Sequence, residues 1–205
     1  GGSADPTVSF WSAVGLLMDG SVNEAIRELD GLGRRGDLAL PVKLTLLHAH
    51  QQCKVVDSEE VARLDAEIRS SDDENASDRS RLQAALVLWH LGDDHSARRQ
   101  VQILLRLNPQ SVQALTLAGH LALADALAEI EANGDPAVHL ENAGHTFDQA
   151  IAACSAKKDL ETLMGKARMH QMREQLKEAL ECLNQVSRRQ GAALRGLCPP
   201  LTAGR

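Results

Sequence analysis

The chain has 205 residues, with 28 acids against 22 Lys and Arg and a formal charge of -6. That balance lacks the basic footprint by which proteins hold nucleic acid or anionic lipid. Apolar residues reach 43% but aromatics only 2%, with no Tyr, so the core must be built from Leu, Ala, Val and Ile, which suits helices better than strands.

In chain order, Asp5-Pro6 is a helix start, an acid N-cap followed by Pro in the first turn. The helix runs to about Met18, Gly20 turns the chain, and Ser21-Val22-Asn23-Glu24 reads as a capping box. The second helix carries Ala25, Leu29 and Leu32 on one face and breaks over Gly31–Gly36. Pro41 opens a third, with Leu44, Leu47 and Val55 apolar. Asp57 to Glu60 caps a fourth, striped by Val61, Leu64 and Ile68, which ends in a polar acidic loop to Asn75. Leu82, Ala85, Leu86, Leu88 and Trp89 form the next helix; Leu91-Gly92-Asp93 turns it onto Ala97, Val101 and Leu104, and Asn108-Pro109 closes the unit. Val112 to Ile130 is one long helical stretch, stopped by Asn133-Gly134-Asp135-Pro136 and followed by Ala143, Phe147 and Ala150. A last hairpin runs from Asp159 through Leu163, Ala167, Met172, Ala179, Leu183 and Val186, leaving 191–205 with Pro199-Pro200 as a flexible tail.

Five alanine anchors thus recur in second helices, at Ala25, Ala62, Ala97, Ala143 and Ala179, about 35 to 46 residues apart. That is close to the ~34-residue period of a helix-turn-helix array. The expected fold is all-α: a right-handed, tetratricopeptide-like superhelical solenoid of about five hairpins over 5–190, in which each repeat contacts its neighbours. Small residues let the two helices of a hairpin approach, and larger apolar ones fill the gap to the next. The second hairpin departs from this, with Ala66 and Arg69 where larger apolar residues belong.

Ala97-x3-Val101-x2-Leu104 before Asn108-Pro109, and Ala143-x3-Phe147-x2-Ala150, resemble the tetratricopeptide repeat. A narrower resemblance lies in Asp159-Leu160-Glu161-Thr162-Leu163-Met164-Gly165-Lys166-Ala167, continuing into Glu174, Ala179-Leu180-Glu181 and Asn184-Gln185-Val186. With Gly15 to Gly20, Glu24 to Glu28, and Leu88 to Gly92 with Ala97-Arg98, it is similar to the N-terminal region of the tetratricopeptide subunit of intraflagellar transport complex A. The resemblance implies a non-catalytic scaffold in the cytoplasm, cilium or flagellum and basal body, serving retrograde transport and ciliary protein trafficking. It implies other complex A subunits or ciliary cargo as partners, and a longer array of which this is the N-terminal part. A homodimer of this stretch alone is then expected to be an effect of truncation. The alternative is a generic adaptor or co-chaperone repeat domain that binds short peptides in its concave groove.

No catalytic, metal or cofactor site is expected, and neither nucleic acid nor membrane insertion. Gly31-Leu32-Gly33-Arg34-Arg35-Gly36 matches G-x-G-x-x-G, but a dinucleotide fingerprint needs a strand before it. Eight His are present without H-E-x-x-H or a Cys pair. In such solenoids the first helices line the concave face, so the partner groove is expected there. Its candidates are Phe10, Val14 and Leu17 in the first hairpin, then Arg79, Leu82, Leu86 and Trp89 in the third. Thr116 and His120 continue it in the fourth, and Met164, Arg168 and Gln171 in the fifth. Leu82, Leu86 and Trp89 share one helical stripe, apart from Ala85 and Leu88.

Overall fold

The computed structural model describes residues 5–32, 36–71, 76–154 and 159–197. The Arg34-Arg35 doublet, the end of the acidic loop and the Pro199-Pro200 tail lie outside the described residues. Among the described residues there are ten α-helices, one short 3-10 turn and no strand. The helices are α1 (Pro6–Met18), α2 (Val22–Asp30), α3 (Ala39–Gln52), α4 (Ser58–Ser71), α5 (Asp78–His90), α6 (Asp94–Leu107), α7 (Val112–Glu131), α8 (Ala137–Ala153), α9 (Leu160–Met172) and α10 (Leu176–Leu197). Consecutive helices pack as five hairpins, the all-α repeat architecture expected. They fall into two compact units, Gly1–Pro109 and Gln110–Arg205.

Helix starts carry acid or hydroxyl caps, of which Asp5 and Asp57 are named from the sequence. Asp5, Ser77, Asp93, Ser111 and Asp159 accept from backbone amides of their first turns, satisfying donors that no helix can satisfy internally. Asp57 Oδ1 accepts from the amides of Glu59 and Glu60, both at 3.1 Å. Ser21 differs: its side chain makes no cap bond, and its carbonyl accepts from Glu24 and Ala25 instead. The long fourth hairpin takes up its extra residues in the helices, since α7 has 20 residues and α8 has 17 against 13 and 14 in α5 and α6. Helix α10 continues through Gly191 to Leu197, past the boundary at which a tail was expected.

Four of the five hairpin turns share one geometry. The residue at the turn is left-handed: Gly20 (φ 83°), Gly92 (78°), Asn133 (58°) and Glu174 (60°). The amide after each reaches back five residues, Ser21 to Leu16, Asp93 to Leu88, Gly134 to Glu129 and Gln175 to His170, at 2.7 to 2.9 Å. This is the Schellman closure, which favours glycine because a Cβ is crowded there.

A buried cluster joins the first helices of the first unit. Phe10, Val14 and Leu29 meet Val42, Leu46, Leu64 and Val87 from the next helices. Helix α3 packs on α2, α4 and α5. The anchors Ala25 and Ala97 are fully buried, but Ala62 is exposed. In α4 the buried pair is Leu64 and Ile68, at 2% and 1% exposure. The larger residues take the core, so the alanine register read for that helix is corrected. Its outer side carries Arg63 paired with Glu60 and Glu67, and Arg69 with Asp65.

In the second unit, Phe147 of α8 is fully buried against two glycines. A Cβ on Gly119 of α7 would lie 2.5 Å from its ring, and one on Gly165 of α9 also 2.5 Å. Thr116 and Thr162 join the same helices through a buried hydroxyl pair 2.6 Å apart. Gly119 and Gly165 each stand three residues after that threonine, a Thr-Leu-x-Gly repeat set 46 residues apart.

Glu174 holds a left-handed conformation that glycine adopts at less cost. Glu174→Gly is expected to raise the unfolding free energy by about 1 kcal/mol. Urea denaturation followed by circular dichroism checks it; an unchanged or lower midpoint contradicts the reading of this turn.

Candidate partner-binding surfaces

In the first unit, α5 brings Arg79, Leu82, Leu86 and Trp89 onto one side. Arg79 is exposed and the other three are half-buried, while Ala84, Ala85, Val87 and Leu88 on the other side are fully buried. The separation of stripes expected for this helix is present. Trp89 stands edge-on to the ring of His90, centroids 5.1 Å apart, and His90 Nδ1 lies 2.7 Å from the carbonyl of Leu86. Beneath the stripe, Arg81 is only 1% exposed and donates from Nη1 to the buried Gln100 Oε1 at 3.5 Å. Residue spacing had no means of flagging a buried guanidinium.

The first-hairpin candidates are placed differently. Phe10 and Val14 are core residues, at 0% and 2% exposure, and Leu17 is half-buried against them. The surface of α1 is instead Val8, Trp11 and Met18, at 63%, 41% and 64% exposure. Helix α1 is apolar around its whole circumference, so periodicity could not choose its inner side.

In the second unit Thr116 is interior, bonded to Thr162. The other four candidates converge. His120, Met164, Arg168 and Gln171 line one depression of about 610 Å³, together with Leu176, Leu180 and Leu183 of α10. Met164 and the three leucines are 44 to 64% exposed. The leucines were missed as a group, although their spacing of four and three residues marks a helical stripe beside the buried Ala179, Cys182 and Val186. His120 packs edge-on to Phe147 with centroids 5.4 Å apart. Burial holds its pKa below the usual histidine value, the Arg168 charge adds to that, and Asp159 opposes it.

Among the described residues no three of His, Cys, Asp and Glu gather into a metal-binding group. No helix there is long and apolar enough to cross a membrane. Helix α2 runs into Gly31, so the glycine-rich stretch follows a helix where a dinucleotide site needs a strand; residues 33–35 lie outside the described set.

The sequence matches the family described as "Tetratricopeptide repeat protein 21 N-terminal ARM repeat" over residues 2–200. The chain belongs to that family. Human tetratricopeptide repeat protein 21B is 28% identical over 183 residues, covering 89% of this chain and 13% of its own length. Mouse tetratricopeptide repeat protein 21A is 30% identical over 188 residues, covering 90% and 13%. The chain therefore spans about an eighth of the relatives it matches, at the 13% of their length just given. Solved structures share the fold at low identity. MamA superposes with a TM-score of 0.53 at 10% identity, covering 96% of this chain and 97% of MamA. A monomeric mutant of IFIT1 with Gppp-AAAA gives 0.54 at 16% identity, covering 79% and 36%. The chain is thus an all-α helical-repeat domain of that family.

His120 also gives a pH test. The unfolded chain takes up a proton on this ring near its ordinary pKa of about 6.5, while the folded chain resists it. Stability is therefore whole above that pH and falls below it. Between pH 7.5 and 5.5, wild type should lose more stability than His120→Gln, read from urea midpoints. Parallel losses contradict this account of the ring.

Proposed function

We propose that the chain is the N-terminal arm of a ciliary transport scaffold: a non-catalytic part of an intraflagellar transport complex A subunit, acting in retrograde transport and ciliary protein trafficking. The family match across residues 2–200 supports this reading. The partners are other complex A subunits or ciliary cargo, and the place of action is the cytoplasm, the cilium and its basal body.

The surfaces suit that work. A partner helix or extended segment binds a repeat surface through apolar anchors with polar flanks. On α5 the anchors are Leu82, Leu86 and Trp89, flanked by Arg79. Trp is the side chain most often found to dominate binding energy, because it removes a large area from water at small entropic cost. A peptide-carboxylate clamp gathers several cations. The depression of the second unit sets Arg168 and a half-buried His120 among leucines, which favours an apolar helix over a free carboxylate.

Crosslinking mass spectrometry with purified complex A subunits tests the reading, comparing wild type with Trp89→Ala. Crosslinks to α5 should fall about tenfold or more, with circular dichroism unchanged. Equal crosslinks would move the contact off α5. No association with any complex A subunit would sink the membership itself.

A further inference from the structure

Of the four left-handed residues at hairpin turns, one carries a side-chain amide. Gly20 and Gly92 have no side chain to react, and Glu174 carries a carboxylate. Asn133 is followed by Gly134, the single Asn-Gly pair of the chain. That pair has a chemistry of its own. The backbone nitrogen of the glycine can attack the asparagine Cγ, because the glycine has no Cβ to hinder the approach. Both residues are exposed, so water reaches them. The turn lies inside the fourth hairpin, between α7 and α8.

The folded turn opposes that attack. The Gly134 amide is the nucleophile, and it donates to the Glu129 carbonyl at 2.7 Å, the closing bond of the Schellman motif. The nitrogen must lose this proton to react, and a hydrogen bond made by the neutral form makes the proton harder to remove. The Glu129 carboxylate also lies over Gly134, where an added Cβ would collide with its Oε2. A negative charge there disfavours an amide anion beside it. The Asn133 backbone amide donates to the Ile130 carbonyl at 3.0 Å, so the chain is held on both sides of the reacting bond.

We propose that Asn133-Gly134 is a self-modification site that the α7–α8 turn keeps latent: it reacts when the turn opens, and its product weakens the turn. The Gly134 nitrogen forms a bond to the Asn133 Cγ, the Cγ–NH2 bond breaks, and ammonia leaves with the proton of that nitrogen. Water then opens the succinimide at either carbonyl, giving aspartate or isoaspartate, with no oxidant or reductant involved. Isoaspartate routes the backbone through one extra CH2, which misplaces the Gly134 amide for its bond to Glu129. Either product puts a new carboxylate at the C-terminal end of α7, the end that disfavours anions, with Glu129, Glu131 and Asp135 close by in sequence. The inference concerns one turn and does not depend on the proposed role in transport.

Incubation of the 205-residue chain at mildly alkaline pH, followed by peptide mass spectrometry across Asn133-Gly134, tests it. The readout is the mass gained when OH replaces NH2, with isoaspartate identified by enzymatic methylation. In concentrated urea the pair should react freely. In buffer, a turn open about a tenth of the time or less should react at least about tenfold more slowly. Leu140 of α8 is buried in one cluster with Leu123 and Ala126 of α7. Leu140→Ala should therefore speed the reaction in buffer several-fold, with helical circular dichroism kept and the rate in urea unchanged. Leu140→Val serves the same comparison if the alanine variant loses its helices. The modified chain, once purified, should unfold at a lower urea concentration than the unmodified one. Equal rates in buffer and urea, a pair inert in urea, or a folded Leu140 variant no faster than wild type overturns the latent site. A modified chain that is as stable as the original overturns the weakening of the turn.

Discussion

A phenylalanine ring held between two glycines governs the second unit. Phe147 projects from α8 into a space that exists only because α7 and α9 carry hydrogen at residues 119 and 165. The first helix of one hairpin, the second helix of that hairpin and the first helix of the next are brought together by that single contact. The threonines three residues earlier add a buried hydroxyl pair, which positions the helices along their axes as the ring sets their separation. In the first unit Leu29 and Val101 hold the corresponding position four residues after the anchor alanine, at 0% and 2% exposure. A small residue on one helix and a large one on its neighbour is a requirement of close packing, and the repeat is that requirement restated along the chain.

The parts of this plan that depend on local chemistry were readable in advance. The Asp5 and Asp57 caps marked where α1 and α4 begin, and Gly20 and Gly92 marked where hairpins turn. The small-then-large spacing identified the buried sides of α2, α6 and α8. Where two choices of side cost nearly the same, residue patterns had no power. Helix α1 carries apolar residues on most of its sides, so Phe10, read as a groove residue, proves to be core while Trp11 faces solvent. Ala62 suits either side of α4 because it is small, and the bulk of Leu64 and Ile68 decided. Leu183 stands where Leu29, Val101 and Phe147 are buried, yet is 44% exposed, a difference that spacing within one hairpin does not contain.

Function follows from the surface the repeats leave over. Residues that fill the gaps between hairpins are committed to packing. The stripe on α5 and the depression between α9 and α10 lie outside that packing, and under the proposed function they receive the partner. Both are apolar with cationic flanks on a chain whose formal charge is -6, so these patches differ in character from the surface around them. Such contrast is how a scaffold selects one segment and ignores the rest. Membership of the tetratricopeptide repeat protein 21 family supplies the setting in which these surfaces are read. The geometry supplies the residues by which that setting can be challenged.

Phe147 and the glycines facing it form one packing unit. A double-mutant cycle on Phe147→Ala and Gly119→Ala, with unfolding free energies from urea titration, measures this directly. Gly119→Ala alone should destabilise by about 1 to 3 kcal/mol through overpacking, and Phe147→Ala alone by about 3 to 5 kcal/mol. With the ring removed, the added methyl has room and brings the helix preference of alanine, so the double variant should be no worse than Phe147→Ala alone. Costs that simply add, within about 0.5 kcal/mol, would show that the ring and the glycine do not constrain each other.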